Sequence, residues 1–314
     1  MNWGRRHTMN TMLKAAVGAT LCPASSVGAA QAALHSGLPW PRRLTDAMGR
    51  SVLVSQPPQR IVTVFPSNVE ILFALGLGPR VVAIGGRVKF PLEALDKPSI
   101  GGALGYSPEV VAQHRPDLIV VTPSHHTALG LIEPFSRVGI PVLVLAHPDM
   151  VSMLRNIALV GQATGADLAA DLLRGQMQQQ LMEIRQRWAG RRAPTVYLET
   201  AAAARGAFQT VGSGHYASDA LSWAGGLNVF ADLATSVQVS AEAIATRNPD
   251  VIISLQQSPK SPRLVAQRPG WSQLRAVRDG RVVVLERAHK LIPGPRQVDA
   301  VRDYAQALHP EVFV

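Results

Sequence analysis

Ser107-Pro108-Glu109-Val110-Val111-Ala112-Gln113-His114-Arg115-Pro116-Asp117-Leu118-Ile119-Val120-Val121 is nearly repeated by Ser240-Ala241-Glu242-Ala243-Ile244-Ala245-Thr246-Arg247-Asn248-Pro249-Asp250-Val251-Ile252-Ile253-Ser254. Both follow Ser-x-Glu-x-(Val/Ile)-Ala-x-x-x-Pro-Asp-(Leu/Val)-Ile-(Val/Ile). Each serine is placed to cap a short helix, and each glutamate falls in its electropositive first turn. Pro116 and Pro249 end the helices. The apolar run that follows is of the kind buried on both faces of a parallel sheet. A repeat of this design predicts two similar lobes, with a cleft between them.

The flanking pattern agrees. Strands are predicted at 61–64, 81–84, 118–121 and 142–145, then at 195–198, 251–254 and 281–285. Helices are predicted at 68–75, 108–114 and 129–138, then at 216–224, 241–247 and 296–308. Ser67 and Glu70 have the spacing of a capping box. A hairpin is expected between Leu44 and Val54 around Met48-Gly49. Residues 149–189 contain no proline and read as two helices, near 151–163 and 166–188. The second carries Leu168, Leu172, Leu173, Met177, Leu181, Ile184 and Trp188 at helical spacing. At about 1.5 Å per residue it would be roughly 35 Å long, enough for a strut between lobes. The fold class is therefore α/β: two lobes with parallel-type sheets bridged by a long α-helix. The boundaries are 1–32 for a signal peptide, 33–148 for the N-terminal lobe, 149–189 for the helical connector and 190–314 for the C-terminal lobe.

The signal peptide rests on Arg5-Arg6, the apolar stretch around Met12–Ala19 and the small-residue ending Ala30-Gln31-Ala32. This implies export to the periplasm. The paired arginines hint at the twin-arginine route, but their neighbours fit it poorly and an ordinary signal is favoured. Cys22, the only cysteine, would leave with that segment. No later stretch has the 18 or so uncharged apolar residues of a membrane span. The net formal charge of +10 is scattered, with no basic run interleaved with aromatics. That argues against nucleic acid and suits an anionic ligand.

Several segments resemble one family in order and spacing. These are Arg60–Gly76, the two Ser-x-Glu…Pro-Asp stretches, Ala224-Gly225-Gly226-Leu227-Asn228-Val229-Phe230, and Pro293-Gly294-Pro295-Arg296. The chain resembles, over about residues 59–313, the periplasmic substrate-binding proteins of ABC importers for iron-siderophores, haem and cobalamin. The resemblance implies a receptor rather than an enzyme, with no resident cofactor. Its partners would be a small metal chelate and an inner-membrane permease and ATPase, and it would work as a monomer. It also implies that Glu109 and Glu242 pair with permease arginines, one acid from each lobe. Their plain alternative is complementation of the helix dipole, worth roughly 0.3–1 kcal/mol.

Cleft-lining candidates come from loops after strands. They are Arg87 and Phe90, then His125 and His126, then His215 and Tyr216, then His289. Arg87 is a candidate for an anion. The four histidines are alternatives for a free transition metal, although no metal-binding spacing joins them. Haem-binding relatives carry Val-Gly-Tyr where this chain has Ile100-Gly101-Gly102, with Tyr106 displaced. Cobalamin binders place aromatics where Ala103 and Arg87 stand. Both ligands are disfavoured against an anionic ferric chelate. Tyr197, Trp223 and Trp271 are read as core before cleft. The enzyme alternative, Ser213 with His215 and Asp219, lacks a nucleophile elbow.

Overall fold

The computed structural model describes residues 39–102, 105–122, 127–202, 207–258 and 261–313. The expected signal peptide with Cys22, and Ala103, His125 and His126, lie outside the described residues. In chain order the first part contains β1 (Arg42–Thr45), β2 (Ser51–Val54), β3 (Ile61–Thr63), α1 (Pro66–Ala74), β4 (Val81–Ile84), β5 (Gly101–Gly102), β6 (Gly105–Tyr106), α2 (Pro108–Gln113), β7 (Leu118–Val121), α3 (Thr127–Arg137) and β8 (Val142–Val144). Two long helices follow, α4 (Met150–Thr164) and α5 (Asp167–Trp188). The second part contains β9 (Thr195–Glu199), β10 (Ala201–Ala202), β11 (Ala207–Val211), α6 (Tyr216–Trp223), β12 (Leu227–Asn228), β13 (Ser236–Ser240), α7 (Ala241–Arg247), β14 (Val251–Gln256), α8 (Pro262–Ala266), α9 (Arg275–Arg278), β15 (Val282–Glu286) and α10 (Gln297–Leu308).

The internal repeat is a repeat of topology. The first sheet has the order β4-β3-β7-β8 and the second β12-β9-β14-β15, every pairing parallel. Both sheets thus run second-first-third-fourth. The two repeated segments supply the third strand of each, with the helix leading into it. Ser107 Oγ accepts from the Val110 amide at 3.4 Å and Ser240 Oγ from the Ala243 amide at 3.2 Å, capping α2 and α7 as expected. The second lobe adds a three-stranded antiparallel sheet, β10-β11-β13, that the sequence did not announce.

Side chains alternate along the central strands. Leu118 and Val120 of β7, Val196 and Leu198 of β9, and Val251, Ile253 and Leu255 of β14 all enter one continuous apolar cluster. That cluster also takes Val69, Ile71 and Leu72 of α1, Met153 and Ile157 of α4, Met177, Leu181 and Ile184 of α5, and Tyr304 of α10. The opposite faces fill two separate clusters, one with Ile119 and Val121, the other with Tyr197, Ile252 and Trp271. Tyr197 and Trp271 are therefore core, and Trp223 packs at its edge. The two sheets share their inner core through α4 and α5.

Both helices touch both lobes. Helix α4 packs on β1 and α1 at one end and on α6 at the other. Helix α5 starts at Asp167, whose carboxylate meets the buried guanidinium of Arg42 at 2.8 Å, and then runs along α6 and α10. Its buried stripe is Ala170, Met177, Leu181 and Ile184. Leu168 and Leu172, read from the sequence as part of that stripe, are exposed. Helix α1 also departs from expectation. It begins at Pro66, with Phe65 as an N-cap that makes no side-chain bond. Proline suits the first helical position because its ring presets φ and no amide is needed there. Ser67 is thereby drawn inside the helix, and no capping box forms with Glu70.

Because the inner core is continuous, a cavity in α5 should be felt by both lobes. Leu181→Ala should cost about 2–5 kcal/mol and lower the midpoint of one cooperative calorimetric transition rather than split it in two.

Candidate functional site

The carboxyl-terminal edges of the two parallel sheets face each other. The loop after β4 carries Phe90, whose ring lies 3.9 Å beneath the guanidinium of Arg296, in the segment after β15. Glu70 of α1 receives Arg296 Nε at 3.1 Å and Nη2 at 2.6 Å. The Asp219 carboxylate of α6 accepts from the Met150 amide at 2.8 Å, at the start of α4 after β8. In doubly wound sheets this edge is where ligands bind, because the loops there are free of the crossover helices.

On the first lobe the loop after β4 is seated by Gly85. A Cβ there would lie 2.0 Å from the Val64 carbonyl oxygen, so only glycine lets the loop cross the end of β3. Two residues on, Arg87 is exposed and holds φ +67, in the left-handed region that costs a side-chain-bearing residue energy. Tyr106 lies near it. The phenol donates to the Val64 carbonyl at 3.0 Å, and the ring meets Phe65 edge-on at 6.3 Å. Burial pushes the Tyr106 hydroxyl above its ordinary pKa, with the Arg87 charge opposing. It is thus held protonated, its proton spent on a backbone carbonyl.

Beneath this edge a buried polar chain fixes the first lobe. Asn156 Nδ2 donates to the Ala146 carbonyl at 2.7 Å and lies 3.1 Å from His147 Nδ1. His147 Nε2 faces Asn68 Oδ1 at 3.4 Å, and Thr122 Oγ1 donates to the same oxygen at 3.2 Å. An amide donor on Nδ1 places the ring proton on Nε2. Desolvation lowers the His147 pKa to about 4, so the ring is neutral at pH 7.

On the second lobe Glu199, at the end of β9, is fully buried. It accepts from Arg268 Nη2 at 2.9 Å, from Arg268 Nη1, and from Ser254 Oγ at 2.7 Å. Arg268 lies against Phe208 and Trp271, 5.1 and 4.6 Å from their ring centres. Beside it opens a cavity of about 530 Å³, lined among others by Gln256, Gln257, Ser258 and Arg287. Arg287 also stands near Tyr216, whose hydroxyl is raised by burial. Neither Arg87 nor Arg287 enters an ion pair among the described residues. A larger cavity, about 680 Å³, lies at the opposite edge among Arg191, Arg192, Arg275 and Arg281. Its cations already meet Asp250, Glu311 or helix-end carbonyls, so it offers an incoming anion little.

Of the four candidate histidines only His215 and His289 are among the described residues. Nδ1 of His215 accepts from the Ala217 amide at 3.1 Å and caps α6, and burial lowers its pKa to about 4. His289 is lowered as well, first by burial and then by Lys290 and Arg296. Among the described residues no group of three or more histidine, cysteine or carboxylate side chains is placed to hold a metal ion. Nor do Ser213, His215 and Asp219 form a relay: the His215 acceptor serves the helix, and Asp219 serves Met150.

Glu109 and Glu242 stand exposed at the first turns of α2 and α7. A crossover helix runs antiparallel to its strand, which puts both first turns at the cleft-side edge of their sheets. Ser107 donates to the Glu109 carboxylate and holds its pKa below the usual range.

Residues missed as site residues are Glu70, Tyr106 and Arg296, with Arg287 and Arg268. The signal for one was present: Pro293-Gly294-Pro295 is a stiff turn that delivers Arg296 to a fixed place.

A family model described as periplasmic binding protein matches residues 61–288, and the chain belongs to that family. An uncharacterized ABC transporter substrate-binding lipoprotein of Bacillus subtilis (strain 168) is 28% identical over 279 residues, covering 87% of each chain. A vitamin B12-binding protein of Vibrio parahaemolyticus is 23% identical over 79% of this chain and 89% of its own. A solved structure described as an ABC-type Fe3+-hydroxamate transport system from Saccharomonospora viridis superposes with TM-score 0.68 at 25% identity, over 86% of this chain and 99% of that one. These relatives are binding proteins of transporters, not enzymes. The match makes this chain a periplasmic binding protein. Among the described residues no helix is long and apolar enough to cross a membrane.

The His147 chain gives a pH dependence with a definite sign. The unfolded imidazole takes a proton near pH 6.5 and the folded one only near 4. Stability from this group is therefore complete above about pH 6.5 and declines toward pH 4, by about 3 kcal/mol. In melts across this range, the gap between wild type and His147→Gln should narrow as pH falls.

Proposed function

We propose that this chain is an exported periplasmic receptor for a negatively charged ferric chelate of siderophore type, and that it hands this cargo to an inner-membrane ABC importer. The observation that carries the reading is the pair of uncompensated guanidiniums, Arg87 and Arg287. They stand on facing sheet edges among the aromatics Phe90, Tyr106 and Tyr216. A chelate with peripheral oxygens and flat ligand arms suits that combination of cation and ring. Tyr106, protonated and bonded to Val64, is poorly suited to ligate haem iron. In this reading residues 1–32 are the export signal, 33–148 and 190–314 are the lobes, and 149–189 connect them. The receptor works as a monomer. Cobalamin is the second reading, favoured by curated relatives named vitamin B12-binding proteins.

Ligand-free protein titrated with a ferric catecholate, a ferric hydroxamate, cyanocobalamin and haemin should separate these readings. Binding at a hundred times Kd stabilises by about 2.7 kcal/mol. The ferric catecholate should raise the melting temperature most. Arg87→Ala should weaken its binding about tenfold, near the 1.4 kcal/mol of one charge-assisted hydrogen bond. A rise with cyanocobalamin alone would transfer the assignment to cobalamin.

Docking to the importer is assigned to Glu109 and Glu242, which occupy equivalent exposed turns of the two lobes. Glu109→Arg with Glu242→Arg should abolish uptake in cells while chelate affinity stays at the wild-type value. Normal uptake by the double variant would remove the assignment.

A further inference from the structure

We propose that Glu70 and Arg296 form a latch between the lobes that sets the width of the ligand-free cleft. The inference goes beyond the receptor reading and does not depend on which cargo is carried.

Glu70 belongs to α1, on the first sheet, and Arg296 to the turn before α10, on the second lobe. The carboxylate is almost wholly buried, and both of its oxygens are taken by the guanidinium fork. Phe90 closes one face of that guanidinium. Gly294 presses on the carboxylate: a Cβ there would come within 2.8 Å of Glu70 Oε2. The contact is therefore tight on its polar and apolar sides.

The Arg296 side is built to stay in place. Gln297, fully buried, donates to the carbonyls of His289, Lys290 and Ile292 at 3.1, 3.3 and 2.9 Å. Lys290, also buried, reaches Asp303 of α10 at 2.6 Å. Pro293 and Pro295 flank Gly294 and restrict the turn further. The Glu70 side is carried on a helix packed in the common core. Two rigid supports thus meet through one bidentate pair, which tolerates only one mutual orientation.

The shared apolar core also holds the lobes in relation, but apolar contact is less directional than a bidentate ion pair. A buried pair is a poor source of net stability, and its attested use is to select one arrangement among several. Here the arrangement selected is lobe separation. The shared core with α4 and α5 restrains the lobes, and the latch ties them again directly at the cleft edge. The cleft is then preformed, and a ligand does not have to pay for closing it.

The test uses ligand-free mature protein. Spin labels at Gln113→Cys and Arg263→Cys, both exposed and on different lobes, report the separation by pulsed dipolar spectroscopy. The parent should show one narrow distance peak. Glu70→Gln, Arg296→Met and Gly294→Ala should each lose that peak to a broader distribution at longer distance. Amide exchange around residues 294–297 should rise about tenfold or more. If Glu70→Gln fails to fold, Gly294→Ala decides, because it keeps both charges and only pushes the carboxylate away. Folded variants that retain the parent's narrow peak would overturn the latch, whatever ligand the receptor proves to take.

Discussion

The structure depends on one continuous apolar core that runs from the inner face of the first sheet, through α4 and α5, to the inner face of the second. A two-lobed protein with two closed cores would be free to hinge, since interfaces between domains are ordinarily smaller and more polar. Here Leu118 and Val120 at one end and Val196, Leu198 and Ile253 at the other belong to the same packed cluster. Close-packed interiors transmit displacement rather than absorb it. The two sheets consequently keep a set relation, and their carboxyl-terminal edges are held opposite one another.

That relation explains the distribution of charge around the site. Buried ionic groups at the edges are paired: Glu70 with Arg296, Glu199 with Arg268 and Lys290 with Asp303. They position loops and contribute little net charge. Among the described residues Arg87 and Arg287 are left out of this pairing. The exposed glutamates of α2 and α7 complete the pattern. One such acid stands exposed on each lobe. The repeated topology keeps the two signs apart.

One reading from sequence was corrected for an instructive reason. Ser67 and Glu70 have capping-box spacing, but Pro66 is the better first helical residue. The helix starts two residues earlier, and Glu70 faces inward, toward an arginine 226 residues away. His215, a candidate in a glycine-rich turn, uses its Nδ1 to cap the helix that follows it. In the capping-box stretch a local pattern had two physical uses, and only the direction of the side chain separated them. The antiparallel sheet β10-β11-β13 escaped notice because β10 is only Ala-Ala and the polar–apolar alternation of Ser236–Ser240 spans just five residues.

What the sequence by itself determined was the repeat, and through it the α/β class, the third strand of each sheet, both serine caps and the placement of one exposed acid on each lobe. These are local matters: capping, helix termination and buried-strand composition act over a few residues, and a pattern in one stretch is enough to show them. The tertiary structure alone decided which polar groups meet. The Glu70–Arg296 fork, the burial of Glu199 against Arg268, and the isolation of Arg87 and Arg287 join residues far apart in the chain. The energy of a charge depends on its burial and on the partner across from it, and neither is written in its neighbours along the chain.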